Sequence, residues 1–167
     1  LFNIKGACYA GLGQLDKAIN SYKVAVTINP QYSKAHYNLG GAFHEMGAFD
    51  DSVQSYLKSL SIEPDYAEAH NNLGNVYRQQ RLLDRAINSY MKAISINPDY
   101  VEAHYSVGLV FQDLGQINSM ISHIEKVLTI KPNFAEAHNN LGIALKSIGQ
   151  LDDAILSYKN ALLIQPN

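Results

Sequence analysis

The chain of 167 residues has one cysteine, no tryptophan and few charges of either sign. Because Cys8 is the only cysteine, an intrachain disulfide and a zinc site of two or four cysteines are excluded. The formal charge is −2, from 13 Lys and Arg against 15 Asp and Glu, so a strongly basic surface is absent. No apolar run approaches the ~18 residues that a membrane-spanning helix needs. We therefore expect neither nucleic acid nor a membrane as a partner.

The first residues, LFNIKGACYAG, lack an initiator methionine. They also lack the basic, apolar and small-residue series of a signal peptide. We therefore expect a fragment of a longer protein with a cytoplasmic (intracellular) location.

Prolines are few, but all five recur at one interval of 34 residues. A fixed period of this length is typical of a solenoid. The period predicts a single solenoid over 1–167, with repeats at 1–32 (partial), 33–66, 67–100, 101–134 and 135–167. Positions within a repeat are numbered so that Ala67 is position 1 and the proline is position 32. The prolines are Pro30, Pro64, Pro98, Pro132 and Pro166.

Each repeat is predicted to form two helices joined by a tight turn. Asp65 stands three residues before Glu68, and similar pairs in the next two repeats predict capping boxes at the start of the first helix. Gly47 predicts a left-handed C-cap, and Asp50 predicts the N-cap of the second helix. Because two short helices cannot bury their apolar faces alone, we expect neighbouring repeats to stack.

A helical wheel of about 100° per residue divides the first helix into two faces. In the third repeat, the face with Leu73 and Tyr77 is predicted to pack. The opposite face is predicted to meet water or a ligand. It holds positions 2, 5, 6, 9, 12 and 13, which are Glu68, Asn71, Asn72, Asn75, Arg78 and Gln79.

This pattern resembles the tetratricopeptide repeat family. The shared features are Leu-Gly at positions 7 and 8, an aromatic residue at 11, Ala at 20, Tyr at 24, Ala at 27 and Pro at 32. The resemblance implies an all-α fold, a right-handed superhelical solenoid of antiparallel helix pairs whose first helices line a concave groove. The segment AEAHNNLG, at 67–74 and 135–142, is similar to repeats that precede the catalytic region of O-linked N-acetylglucosamine transferases and to related bacterial repeat proteins.

The fourth repeat departs from the family pattern in its second helix. Met120 and Val127 replace small residues at positions 20 and 27, and Ile124 replaces the tyrosine at position 24. Because two residues grow where one shrinks, we expect local repacking at conserved volume.

Histidine occupies position 4, where the resembled family carries tryptophan. Packed helices lie about 8–10 Å apart, too far for imidazoles of successive repeats to share a metal ion at ~2.1 Å. We therefore expect structural histidines with a locally bonded ring nitrogen, and no metal or cofactor. They are His36, His70, His104 and His138.

No residues are arranged for nucleophilic catalysis or phosphate binding, since a serine elbow and a glycine-rich phosphate loop are both missing. We expect no enzymatic activity within these residues. Cys8, at position 10, is predicted to be a small buried apolar group. The serines at position 23 are predicted to lie on the solvated outer face, as Ser21, Ser55, Ser89 and Ser157.

Glutamate occupies position 2 in three repeats, as Glu68, Glu102 and Glu136. Two interpretations remain open: an acidic strip for a basic peptide, or closure of the capping boxes. Chaperone-binding members of the resembled family clamp a terminal carboxylate with lysine at this position, so we expect no such clamp here.

Asparagine recurs at position 6, although a helix interior does not favour it. Its donor and acceptor match the backbone of an extended peptide, and the resembled transferases hold substrate polypeptide with such a ladder. Alternatively, these amides solvate the face or bond the neighbouring helix. Tyrosine alternates with asparagine at position 5 and adds aromatic contact area. The predicted peptide-binding groove comprises Tyr37, Asn38, Asn71, Asn72, Asn75, Arg78, Tyr105, Ser106, Asn139 and Asn140.

The sequence thus favours a non-catalytic scaffold that binds an extended peptide or a partner protein segment in the groove. One alternative is the substrate-recognition region of a larger glycosyltransferase similar to the O-linked N-acetylglucosamine transferases. The other is a self-associating array, because Ile155, Tyr158 and Leu162 in the last helix are predicted to be partly uncovered. Solenoid ends need polar caps, so weak end-to-end self-association is expected.

Overall fold

A computed structural model describes residues 1–166, and within them it contains ten α-helices and no β-strand. Each repeat contributes two helices, as predicted. The helices are α1 (Phe2–Gly11), α2 (Leu15–Ile28), α3 (Ser33–Glu45), α4 (Phe49–Ile62), α5 (Ala67–Gln79), α6 (Leu83–Ile96), α7 (Val101–Asp113), α8 (Ile117–Ile130), α9 (Ala135–Ser147) and α10 (Leu151–Ile164). None of the helices in this range is long and apolar enough to cross a membrane.

The helices form two compact units, Leu1–Ile96 and Asn97–Asn167. In the first unit, α1 pairs with α2, α3 with α4 and α5 with α6, and each of α3 and α5 also packs against the second helix of the preceding repeat. In the second unit, α7 pairs with α8 and α9 with α10, and α9 packs against α8. Stacked helix pairs are therefore the architecture within each unit.

The turn inside each pair depends on one left-handed residue. Gly47 has a φ of +75°, and the N–H of Ala48 donates to the carbonyl of Phe43 at 2.9 Å, so the predicted glycine C-cap is confirmed. In the third repeat Arg81 takes this place with a φ of 61°. A left-handed conformation costs a non-glycine residue roughly 1–2 kcal/mol.

The predicted aspartate caps are wrong. α5 begins after Tyr66 rather than Asp65, and no side-chain cap bond is present there. Asp50 lies inside the first turn of α4, after an N-cap at Ala48. At this place a carboxylate interacts with the helix dipole rather than with a single N–H group.

In four of the five helix pairs, a glycine of the first helix lies against a tyrosine ring of the second helix. A Cβ atom on Gly74 would lie 2.6 Å from Cε1 of Tyr90, whose side chain is fully buried. In the fourth repeat the nearest atom to such a Cβ on Gly108 is Cδ1 of Ile124, at 3.1 Å. Met120 and Val127 are fully buried in the same core cluster as Ile124. The larger side chains at positions 20 and 27 thus pack beside the smaller one at position 24, as predicted.

Two predictions of exposure are wrong. Cys8 is exposed, because α1 packs against α2 and α3 alone among the described helices and the side that carries Cys8 is uncovered. The position-23 serines are buried rather than solvated, because each hydroxyl donates to the backbone carbonyl four residues earlier and so needs no water. These bonds are Ser21 to Lys17, Ser55 to Asp51, Ser89 to Arg85 and Ser157 to Asp153, at 2.8–2.9 Å.

Candidate functional site

The position-6 asparagines connect the first helices of successive repeats. In the first unit, Asn72 Nδ2 donates to Tyr37 Oη at 3.0 Å. In the second unit, Asn140 Nδ2 donates to Tyr105 Oη at 2.9 Å. Each bond joins position 6 to position 5 of the preceding repeat, so the sequence periodicity places equivalent side-chain bonds in both units.

Asn38 extends these bonds into a ladder in the first unit, because its Nδ2 donates to the side-chain oxygen of Asn3 at 2.9 Å. Ser106, the residue at position 6 of the fourth repeat, is half-buried. The alternative that these amides bond the neighbouring helix therefore has direct structural support in three repeats.

An aromatic pair accompanies the ladder in each unit. The rings of Tyr37 and Tyr66 have centroids 4.8 Å apart, and those of Tyr105 and Phe134 are 5.0 Å apart. Lys34 Nζ donates to Tyr66 Oη at 2.7 Å and lies 4.6 Å from the centroid of Tyr37. Burial raises the pKa of Tyr66 to about 12, so this hydroxyl stays protonated at neutral pH. The two clusters are related by 68 residues, twice the repeat length.

A cavity of about 630 Å³ opens between α9, α10 and Tyr105 in the second unit. Its polar side carries Asn139, Asn140 and the exposed carboxylate of Glu136, while Leu162 contributes to its apolar side. Three predicted groove residues, Tyr105, Asn139 and Asn140, are thereby brought together around one opening.

The remaining groove residues of the first unit have other environments. Asn75 accepts a bond from Tyr90 Oη at 2.8 Å, and Arg78 is half-buried. Asn71 is buried, with 5% of its surface exposed, so its predicted place on the open face is wrong. Position 5 borders the packing sector of the wheel, and Asn139 at the same position is exposed. The neighbours of a repeat therefore decide the burial of this position.

The buried Asn71 amide is only partly satisfied. Its Nδ2 donates to Asn72 Oδ1 at 3.3 Å, while its own Oδ1 has no hydrogen-bond partner among the described residues. An unpaired buried acceptor costs about 1–3 kcal/mol.

The three position-2 glutamates are exposed. The helices that carry them have N-caps at Tyr66, Tyr100 and Phe134, none of which makes a side-chain cap bond. The capping boxes are therefore not formed. Glu68, Glu102 and Glu136 lie in the first turns of their helices, where a carboxylate interacts favourably with the helix dipole, and the acidic strip for a basic peptide stays a prediction.

The position-4 histidines are bonded locally, as predicted. Each ring Nε2 lies 2.9–3.1 Å from the carbonyl of the proline six residues earlier. In residues 1–166, no group of three or more His, Cys, Asp or Glu side chains could hold a metal ion. His104 also contacts His123, which sequence analysis missed; the available signal was a histidine at position 23, where the other repeats carry serine.

Comparison with known proteins identifies the repeat. Family models described as TPR repeat match residues 6–47, 40–81 and 75–115, and models described as tetratricopeptide repeat match 101–134 and 135–167. No curated protein matches the chain.

Solved structures share the fold. A crystal structure of MamA is 29% identical with a TM-score of 0.90, over 96% of this chain and 94% of that one. MamA from Desulfovibrio magneticus RS-1 is 17% identical with a TM-score of 0.89, over 99% and 96%. YrrB, described as a TPR protein with an unusual peptide-binding site, is 19% identical with a TM-score of 0.82, over 99% of this chain and 86% of that one. The all-α fold of stacked helix pairs is thus confirmed, and the chain belongs to the tetratricopeptide repeat family.

Proposed function

We propose that this chain is a non-catalytic protein-interaction scaffold that binds an extended peptide segment on the face formed by its first helices. The observation that carries the proposal is the cavity of about 630 Å³ in the second unit, where Tyr105, Asn139 and Asn140 of the first helices line one opening together with residues of α10. Its mixture of amide groups and an apolar wall is typical of sites that bind both the backbone and the side chains of a ligand.

Four side chains at this cavity would contact different parts of a bound peptide. The bond to Tyr105 fixes the Asn140 amide, which keeps one further N–H and its carbonyl oxygen for a ligand. The exposed Asn139 supplies a second amide that can both donate to and accept from a peptide backbone. Glu136 at the edge favours a basic side chain, and Leu162 favours an apolar one.

Two substitutions separate peptide contact from the ladder bond. Asn139→Ala together with Asn140→Ala should weaken binding of unstructured peptides by about 1–3 kcal/mol, or roughly 5- to 150-fold, since each lost bond contributes about 0.5–1.5 kcal/mol. Tyr105→Phe removes the hydroxyl that holds Asn140 but leaves both asparagines in place. Asn118→Ala, at an exposed position on α8 away from the cavity, is the matched control.

The measurement is fluorescence anisotropy with a panel of labelled unstructured peptides, combined with the melting temperature of each variant. We expect Asn118→Ala to match the original chain in both. If the asparagine variants melt at lower temperature but bind every peptide as before, then the ladder is purely structural and the peptide-binding proposal fails.

The exposed apolar face of α10 supports one second candidate, a self-associating array. Ile155 and Leu162 are 52% and 54% exposed, as predicted, and concentration-dependent light scattering would detect association through this face. The glycosyltransferase alternative is tested by the gene sequence beyond Asn167, where it requires a nucleotide-sugar-binding α/β region.

A further inference from the structure

Two histidines of the fourth repeat form a direct hydrogen bond between α7 and α8. His104 Nδ1 and His123 Nδ1 lie 2.9 Å apart. His104 is 6% exposed, and the ring of Phe111 stacks on His123 with centroids 5.6 Å apart. The other repeats carry serine at the position of His123, so the fourth repeat alone has this pair.

The surrounding bonds fix which nitrogen carries each proton. The carbonyl of Pro98, 3.0 Å from His104 Nε2, can only accept, so this Nε2 carries a hydrogen. Neutral His104 therefore has a lone pair on Nδ1, and His123 must donate from its own Nδ1–H. The remaining lone pair of the neutral pair is on His123 Nε2.

The pair accepts one proton without losing its bond, but not two. A first proton on His123 Nε2 leaves the Nδ1–H of His123 pointing at His104. A second proton would have to bind His104 Nδ1, which would place two N–H groups face to face and two like charges within hydrogen-bond distance. The protonation steps of the two rings are therefore coupled.

The local charges do not relieve this conflict. Burial is the largest cause of the lowered pKa of both rings, and His104 further lowers that of His123. At His104 the bond to the Pro98 carbonyl opposes burial and raises the pKa, Lys126 of α8 lowers it, and Asp99, before α7, raises it. Lys126 and Asp99 are themselves paired at 2.8 Å. In the described part of this unit, α9 packs against α8 and contributes no titratable group to either shift.

We propose that the His104–His123 pair is an acid-sensitive clasp between α7 and α8, closed while at most one proton is bound and opened by the second. An unfolded histidine titrates near 6.5, and the folded pair resists protonation. The stabilisation from the pair is therefore fully present above about pH 6.5 and is lost as the pH falls below it. Each proton that the unfolded chain binds and the folded pair excludes lowers the folding equilibrium constant by up to about tenfold per pH unit. Because the pair supplies only two histidines, and no group of three or more metal-ligating side chains lies in residues 1–166, the proton rather than a metal ion is the expected effector.

The test is the pH dependence of urea unfolding for the original chain and for His123→Ser, which introduces the residue that the other repeats carry. Between pH 6.5 and 5.5, the unfolding equilibrium constant of the original chain should rise up to about fivefold more than that of the variant for one excluded proton, because an unfolded histidine is already about half protonated at pH 6.5. His70→Gln is the control, because His70 makes the same proline bond but its repeat carries Ser89 at the position of His123; this variant should keep the acid-dependent loss of stability that the histidine pair causes. Parallel pH profiles for the original chain and His123→Ser would overturn the proposal.

Imidazole ¹⁵N NMR of the unaltered chain gives a readout that does not depend on a variant. At pH 8 we expect His104 with its hydrogen on Nε2 and His123 with its hydrogen on Nδ1. On acidification, His123 should titrate before His104. A His123 hydrogen on Nε2 at pH 8, or two independent titrations near pH 6.5, would contradict the clasp.

Discussion

Replacing Gly40 with alanine tests the packing on which each helix pair depends. A Cβ atom there would lie 2.9 Å from Cδ1 and Cε1 of Tyr56, whose side chain is 1% exposed. Because this rigid ring is enclosed, it cannot turn away, and overpacking of this kind costs about 1–3 kcal/mol. The helix preference of alanine over glycine offsets about 1 kcal/mol. We expect a net loss of up to about 2 kcal/mol in the free energy of unfolding.

The neighbouring Gly41 provides the matched control within the same helix. Its Cβ would meet only Tyr56 Oη, at an ordinary contact distance of 3.6 Å. Gly41→Ala should therefore stabilise the chain by up to about 1 kcal/mol, through helix preference alone. Gly108→Ala, which meets the flexible end of Ile124 at 3.1 Å, should fall between the two.

Urea unfolding followed by circular dichroism measures these differences as shifts of the midpoint at a constant m-value. The order of stability should be Gly41→Ala first, Gly108→Ala second and Gly40→Ala last. If Gly40→Ala is as stable as Gly41→Ala, then the ring of Tyr56 does not limit the approach of the two helices.

Three further substitutions test the core and the ladder by the same unfolding assay. Leu73→Ala should cost about 2–5 kcal/mol, because Leu73 is 4% exposed and leaves a cavity; a loss below 1 kcal/mol would contradict its core position. Asn71→Leu should stabilise the chain by about 1 kcal/mol, because it removes a buried acceptor without a partner; destabilisation would mean that the amide is needed. Tyr37→Phe should cost about 0.5–1.5 kcal/mol, because the bond from Asn72 Nδ2 to the Tyr37 hydroxyl is lost while the ring contacts remain; an unchanged midpoint would show that this bond does not contribute.

The sequence predicted the helix pairs, the packing face and the glycine turns, because each of these depends on a local period or on one residue's backbone freedom. The glycine at position 15 alone sufficed to locate the left-handed turn at Gly47, for example. The helix starts were less predictable: a carboxylate one or two residues from the cap, such as Asp50, gives nearly the same sequence signal whether it caps the helix or lies in its first turn.

Side-chain partners could not be predicted to the same extent. Asn71 and Asn139 share one repeat position, yet the first is buried and the second exposed, because burial at that position depends on neighbouring residues. A wheel also cannot show that Ser55 satisfies its hydroxyl on a carbonyl of its own helix and is therefore free to be buried. The bond from Asn72 to Tyr37 spans 35 residues, so only the stacking of helices reveals it.

The most direct test of the proposed function follows the side-chain amides during titration with peptides. In a ¹⁵N-labelled sample, a panel of unstructured peptides that differ in charge and apolar content is added, and the amide resonances of Asn139, Asn140 and Asn118 are compared. We expect peptides with basic and apolar residues to shift the resonances of Asn139 and Asn140 while that of Asn118 remains unchanged. Peptides that bind and shift resonances elsewhere, with Asn139 and Asn140 unmoved, would contradict it.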